Sequence, residues 1–165
     1  MSLVKGILEL RVSENILLDN GNVIRSTNTK NISGINQVVL RTDIISTTFQ
    51  ETGVQILKFV NNESEQTAGS FVKGDVKYIR ITNLDNTNYV DIYLIKTNTE
   101  ETRFKLDAGK NFILSNGEFD ATSTNDVVVE GYVDMSYFSD MVDIDTIKAK
   151  ANTEDVTIEY FVAST

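Results

Sequence analysis

Residues 76–96 read VKYIRITNLDNTNYVDIYLIK, and apolar and polar side chains alternate more regularly here than elsewhere in the chain. Successive side chains of a β-strand point to opposite faces, so a two-residue period indicates strands with one buried face. The connecting residues 83–88 are rich in Asn and Asp, which tolerate left-handed backbone and bond their own main chain. The stretch predicts two strands joined by a tight polar turn, a central hairpin.

Short strands of this kind recur along the whole chain. The sequence predicts about ten of them, with turn signals roughly every 8 to 12 residues and at most one helical turn, within residues 136–145. We therefore expect an all-β fold, an antiparallel β-sandwich resembling a jelly roll; an immunoglobulin-like sandwich is the alternative. The two-residue alternation places certain apolar residues on the inward face of their strands. The predicted core therefore contains Val90, Ile92, Leu94, Val127, Val129, Ile147 and Ile158.

The length of 165 residues suits a single domain with two parts. Residues 1–36 are expected to form an N-terminal strand over 6–12, a small hairpin at the Asn20-Gly21 turn, and a polar arm from 25 onward. This arm is either an ordinary surface loop or a segment that contacts a neighbouring chain. Residues 37–165 are expected to form the β-sandwich, with a bulge or a break into two strands within 37–49.

The composition argues against several classes of function. The chain contains no Cys and no His, so it lacks a thiolate nucleophile, the usual general base and the commonest transition-metal ligands. A nucleophile–base pair would need Ser, Thr or Lys, and no Gly-x-Ser-x-Gly motif is present, so we expect no enzyme. Its net charge of −9 repels phosphate backbones and anionic lipids, so neither nucleic acid nor membrane is an expected partner. No apolar run is long enough to span a bilayer, and the first residues lack a signal-peptide core, which predicts synthesis in the cytoplasm.

One acidic cluster is a candidate metal site. Asp140, Asp143 and Asp145 lie close together in sequence, with Asp134 upstream. Oxygen ligands of this kind bind Ca²⁺, although the spacing is not that of an EF-hand. The alternative is an acidic turn that faces water, and no other cofactor is expected.

The polar turn of the central hairpin is a candidate sugar-binding loop. Amide and carboxylate groups bond the hydroxyl groups of sugars, and the turn contains Asn83, Asp85, Asn86 and Asn88. The alternative is that these side chains only build the turn.

Five residues are candidates for a protein interface. Leu3, Ile7 and Phe161 are apolar residues near the two ends of the chain, and they lie on strand faces that are not part of the predicted core. Another chain covers them, or the N-terminal strand of the same chain folds over Phe161. Lys148 and Lys150 form a basic strand face that docks on an acidic partner, faces water, or protects a sheet edge.

Four strings in the sequence carry a resemblance: VKYIRITNLD at 76–85, LDAGKNFIL at 106–114, IKAKA at 147–151 and EYFVA at 159–163. They resemble small all-β structural proteins of tailed bacteriophages, especially marine ones. The resemblance implies a virion structural protein, such as a capsid decoration (cement) protein or a small tail or neck component.

The resemblance also implies partners and location. The partner would be the major capsid protein or another virion protein, and the chain would form a homo-oligomer, with a trimer favoured. It would be made in the host cytoplasm and then incorporated into the virion. The alternative function is a carbohydrate- or receptor-binding β-sandwich module of a phage tail.

Overall fold

The computed structural model describes residues 5–47, 53–97, 101–115 and 144–165. Most of these residues form strands, with short 3₁₀ turns at Glu63–Glu65 and Lys73–Asp75. The strands of the described ranges are β1 (Gly6–Leu17), β2 (Val23–Ile35), β3 (Gln37–Ile45), β4 (Val54–Val60), β5 (Ser70–Val72), β6 (Val76–Asn83), β7 (Val90–Lys96), β8 (Glu101–Leu106), β9 (Asn111–Ser115), β10 (Ile144–Ala151) and β11 (Val156–Ser164). No helix among the described residues is long and apolar enough to cross a membrane.

Two sheets make up the sandwich. In the described part of the chain, sheet I has the order β5-β4-β10-β7-β8, and sheet II has the order β3-β11-β6-β9. Neighbouring strands run antiparallel, except that β4 and β5 run parallel. Apart from β5, these strands form four pairs that follow each other in sequence, with one strand of each pair in each sheet: β3 and β4, β6 and β7, β8 and β9, and β10 and β11. This is the strand order of a jelly roll, and it confirms the predicted all-β sandwich.

The predicted central hairpin is not a hairpin. Strand β6 pairs with β11 and β9 in sheet II, whereas β7 pairs with β10 and β8 in sheet I. Residues 84–89 therefore arch from one sheet to the other. The local sequence was sufficient to predict a turn, but the polar residues of a turn do not determine which strand each flank pairs with.

Alternate residues of both sheets fill the space between them. One contiguous core joins strands of both sheets, and its largest fully buried side chains include Ile79, Ile92 and Ile147. The predicted core is confirmed where it is described, since exposure is 0% or 1% at Val90, Ile92, Leu94, Ile147 and Ile158. The predicted core residues Val127 and Val129, and nearly all of the predicted helical turn, lie outside the described residues.

Strands β1 and β2 form one long hairpin, which we call the N-terminal hairpin. They pair from Gly6 opposite Ile35 to Leu17 opposite Val23, with a register shift between Gly6 and Ile7. The predicted Asn-Gly turn closes it, with Gly21 at φ 82° and its N–H donating to the carbonyl of Leu18 over 2.8 Å. A positive φ of this size favours glycine, because other residues are strained there.

Two boundary predictions in this region are wrong. The segment predicted as a polar arm from residue 25 onward is strand β2. Its backbone pairs with β1, but most of the strand is exposed on both faces, so its Thr, Ser and Asn side chains show no alternation of apolar and polar residues. Strand β3 pairs with β11 without a register shift over residues 37–45, so the predicted bulge does not occur in that range.

Among the described residues, only the base of the N-terminal hairpin packs against the sandwich. Ile32 and Ile35 are buried there with Tyr78 and Ala163 of sheet II, and Leu8, Leu10 and Phe161 are partly buried around them. These sheet residues lie on the outer face of sheet II, opposite the core. The rest of the hairpin projects into solvent.

Candidate functional site

The N-terminal hairpin has an apolar stripe that extends beyond its packed base. Register places Leu8, Leu10, Val12 and Ile16 of β1 on one face of the ribbon, where Ile24 is paired with Ile16. Leu8 and Leu10 pack against the buried cluster at the base, whereas the exposed fraction is 53% for Val12, 52% for Ile16 and 53% for Ile24. We call Val12, Ile16 and Ile24 the hairpin stripe.

The outer face of sheet II has a matching stripe. Val38, Leu40 and Ile44 of β3 point away from the core, and their exposed fractions are 55%, 58% and 70%. Register places Val38 beside Ala163 and Leu40 beside Phe161, which are the residues that the hairpin base covers. We call Val38, Leu40 and Ile44 the sheet stripe.

Phe161 lies at the border between the covered and uncovered parts of this face. Its ring meets that of Tyr78 edge-on at 5.8 Å between centroids, and the Arg80 guanidinium lies 5.7 Å from its centroid. The base of the chain's own N-terminal hairpin packs on it, as in the alternative where the N-terminal strand folds over it. Additional cover by another chain stays a prediction. Ile7 is 68% exposed on the opposite ribbon face, and Leu3 lies outside the described residues.

The outer face of sheet I is basic. The pairing of β4, β10, β7 and β8 places side chains of all four strands on the face that points away from the core. Among the charged residues described there, basic ones outnumber acidic ones. The basic residues are Lys58, Arg103, Lys105, Lys148 and Lys150, and the acidic ones are Asp91 and Glu101. We call this surface the basic face, and it contrasts with the net charge of −9 of the whole chain.

Paired carboxylates hold two of these cations in place. The Arg103 guanidinium donates to the buried carboxylate of Asp91, which raises the pKa of Arg103. Lys105 Nζ lies 2.7 Å from Asp107 Oδ1 and 4.5 Å from the Tyr89 ring centroid, and the hydrogen bond to Asp107 raises its pKa. Both groups therefore stay charged throughout the physiological pH range.

The predicted basic strand of Lys148 and Lys150 lies in the middle of sheet I. Strand β10 is paired on both sides, with β4 and β7, so the interpretation of these lysines as edge protection is wrong. Lys148 is opposite Tyr93, and Lys150 is opposite Asp91. Both lysines are half-buried on the outward face, where docking on an acidic partner stays a prediction.

Of the predicted calcium ligands, only Asp145 is described. Its Oδ1 lies 3.5 Å from Nζ of Lys73, a residue that is 3% exposed and also donates to Thr97 Oγ1 over 3.0 Å. No group of three or more potential metal ligands occurs among the described residues. Asp134, Asp140 and Asp143 lie outside them, so the Ca²⁺ site stays a prediction.

The candidate sugar loop is held by its own hydrogen bonds. Asn83 is fully buried; its Nδ2 donates to the carbonyls of Asn88 and Leu106, over 2.9 and 3.1 Å. Asp85 Oδ1 accepts from the backbone N–H groups of Thr87 and Asn88, both over 2.7 Å, which lowers the pKa of Asp85. These contacts give Asn83 and Asp85 a role in building the loop, and sugar binding stays a prediction.

Sequence reasoning did not find the two apolar stripes. The alternation of Leu8, Leu10 and Val12 continues to Ile16, and this would have extended the first strand. The continuation is hard to recognise because Glu14 interrupts it and β2 supplies mostly polar partners. The basic face was found only through Lys148 and Lys150, because its other residues come from strands far apart in sequence.

The chain matches no family model, no curated protein and no solved structure in comparisons of sequence and fold.

Proposed function

We propose that the protein is a virion structural protein of a tailed bacteriophage, a capsid decoration (cement) protein that functions through protein–protein contacts. The observation that carries the proposal is the projecting N-terminal hairpin, which exposes large apolar side chains on both of its faces. These are Ile7, Val12, Ile16, Leu17, Leu18, Val23 and Ile24. Single exposed apolar residues are common on soluble proteins, but a contiguous patch marks an interaction site.

The basic face supports the same proposal. A protein with a net charge of −9 is repelled by other acidic proteins unless it presents a surface of opposite sign. Within the described strands, the residues paired directly with Lys58 and Lys148 are not acidic, so these two lysines are the best candidates to contact an acidic partner. We propose that this face binds the major capsid protein or another virion protein.

Fold and resemblance add weaker support. Viral capsid proteins are among the classes built on jelly rolls, although a fold does not determine a function. The resemblance to phage structural proteins favours a homo-oligomer, with closed symmetry and three copies. The protein would be synthesised in the host cytoplasm and would then join the virion.

Particle binding tests the proposal. Particles assembled without this protein are mixed with the purified full chain and pelleted, and we expect the chain to pellet with them. Lys58→Glu with Lys148→Glu should weaken binding about tenfold or more, because it reverses charge on the docking surface. The control is Lys77→Glu with Lys110→Glu, which changes the net charge equally at positions outside that surface and outside the N-terminal hairpin.

Two results would contradict the proposal. One is a wild-type chain that stays in the supernatant and is missing from purified virions. The other is binding to a glycan that is lost when Asp85 and Asn88 are changed to Ala, which would support the carbohydrate-binding module instead.

A further inference from the structure

We infer that the partner of the N-terminal hairpin is a second copy of this chain, and that the hairpin stripe of one copy covers the sheet stripe of the other. This inference rests on the proposed function as an assembly protein and names one of its partners. The starting observation is a contact inside a single copy. The hairpin base already packs on the outer face of sheet II, where Ile32 and Ile35 are buried with Tyr78 and Ala163.

Both sides of this contact continue beyond the part that is buried. On the hairpin, Leu8 and Leu10 lead along the same face to the hairpin stripe. On the sheet, Ala163 and Phe161 are paired with Val38 and Leu40, which begin the sheet stripe. The two stripes have the chemistry of the surfaces that pack at the base. Each stripe residue is more than half exposed, so the stripes do not cover each other within one copy.

The two surfaces are also similar in length. The projecting part of β1 from Val12 to Leu17 spans about 17 Å at roughly 3.3 Å per residue. The sheet stripe from Val38 to Ile44 spans about 20 Å on the same basis. One hairpin therefore covers most of one sheet stripe.

Charge does not oppose this contact. Residues 5–35 contain four basic and three acidic side chains, for a net charge of +1. The remainder of the sequence contains 11 basic and 21 acidic side chains, for a net charge of −10. The nearly neutral hairpin therefore approaches the acidic remainder of a second copy without the repulsion that two surfaces of like charge would cause.

Each copy has one hairpin and one sheet stripe, so the contact joins two different surfaces. Contacts of this kind close into a ring if the rotation between copies permits it. Two copies that exchange hairpins make two identical contacts, and a trimer makes three. Closure leaves no stripe exposed, which removes the hazard of open-ended fibres.

Disulfide crosslinking tests the inference directly, because the natural chain contains no Cys. Ile16→Cys is made in one full-length chain and Leu40→Cys in another chain that carries a size tag. The two purified proteins are mixed and oxidised, so a disulfide between them joins two copies by construction. We expect this mixed product to form readily. The matched control is Leu17→Cys with Leu40→Cys, since Leu17 lies one position away on the opposite ribbon face, and it should crosslink far less.

Light scattering supplies the second measurement. The wild-type chain should be a closed oligomer. Ile16→Asp should weaken association about tenfold or more, because it places a charge in an apolar contact. Asn15→Asp adds the same charge on the opposite face and should leave the oligomer intact. Circular dichroism checks that each variant is folded.

The outcomes separate this inference from the proposed function. A wild-type monomer at micromolar concentration, or an oligomer in which the Ile16→Cys and Leu40→Cys chains do not crosslink, overturns the inference. If such a protein still pellets with particles, the proposed function stands and the hairpin contacts another virion protein. A crosslinked oligomer that does not pellet with particles supports the inference and contradicts the proposed function.

Discussion

The N-terminal hairpin and the sandwich are both built from paired antiparallel strands, but they differ in what the strands bury. Strand β2 has 13 residues, of which Ile32 and Ile35 are buried, whereas five of the seven residues of β7 are buried. An isolated two-stranded hairpin is marginally stable in water. Backbone pairing is therefore common to both regions, and side-chain burial is what makes the sandwich self-sufficient and the hairpin dependent on its contacts.

The largest difference is expected from one isoleucine in each region. Ile92→Ala in the core of the sandwich should lower the free energy of unfolding by about 2–5 kcal/mol, through lost burial and a residual cavity. Ile16→Ala on the hairpin stripe should change it by less than about 0.5 kcal/mol in the monomer. Urea denaturation of both variants, in solution dilute enough to keep the chain monomeric, checks this, and equal losses would contradict the comparison.

The base of the hairpin should behave like a small core of its own. Ile32→Ala should cost about 2–4 kcal/mol locally, because Ile32 is 1% exposed and anchors the ribbon on the sandwich. Hydrogen exchange is the appropriate measurement. Amides of β1 and β2 should exchange faster than in the wild type, while those of β7 and β11 stay protected. Uniform acceleration across all four strands would show that the hairpin and the sandwich unfold as one unit.

A polar residue of the sandwich should matter more than an apolar residue of the projecting hairpin. Asn83→Ala should cost about 1–3 kcal/mol, because it leaves the carbonyl groups of Asn88 and Leu106, which are partly or fully buried, without their side-chain donor. The control Asn86→Ala changes an exposed residue of the same loop and should cost less than about 0.5 kcal/mol. Chemical denaturation measures the free energy of unfolding of both variants. Similar losses at the two positions would contradict the stabilising role assigned to the Asn83 side chain.

The smallest effects are expected from pH near neutrality. Burial, and then Asp43, raise the pKa of Tyr160 to about 12. Because this pKa is raised above its unfolded value of about 10, the contribution of Tyr160 to stability is complete below pH 10 and is lost as the pH rises toward 12. Asp85 has a lowered pKa, so its contribution is lost only as the pH falls below about 4.

Stability and assembly should therefore be flat between about pH 5.5 and 8, where the missing His and Cys would otherwise titrate. Denaturation curves at a series of pH values measure the stability, and Tyr160→Phe should reduce its fall above pH 10. The N-terminal hairpin contains no Tyr, so the alkaline loss should come from the sandwich. A sharp transition between pH 5.5 and 8 would contradict this account.

Local patterns were enough to predict the fold class, the Asn20-Gly21 turn and five core positions. They were not enough to predict which strands pair. Strands β3 and β11 pair although more than a hundred residues separate them in sequence, and no local pattern indicates this partnership. The same limit applies to the surfaces. Lys148 was recognised as outward-facing from its own strand, but its place near Arg103 follows only from the pairing of β10 with β7 and of β7 with β8.

The positions of β10 and β11 have a consequence for the order of events during synthesis. Each is an interior strand of its sheet, and both leave the ribosome after every other described strand. Until residues 144–164 emerge, β4 and β7 of sheet I, and β3 and β6 of sheet II, lack the strand that joins them. The pairs β1–β2 and β7–β8 are local and form early. The nascent chain therefore displays open strand edges and an apolar hairpin together, and the sandwich is completed only when its last two strands insert between those already made.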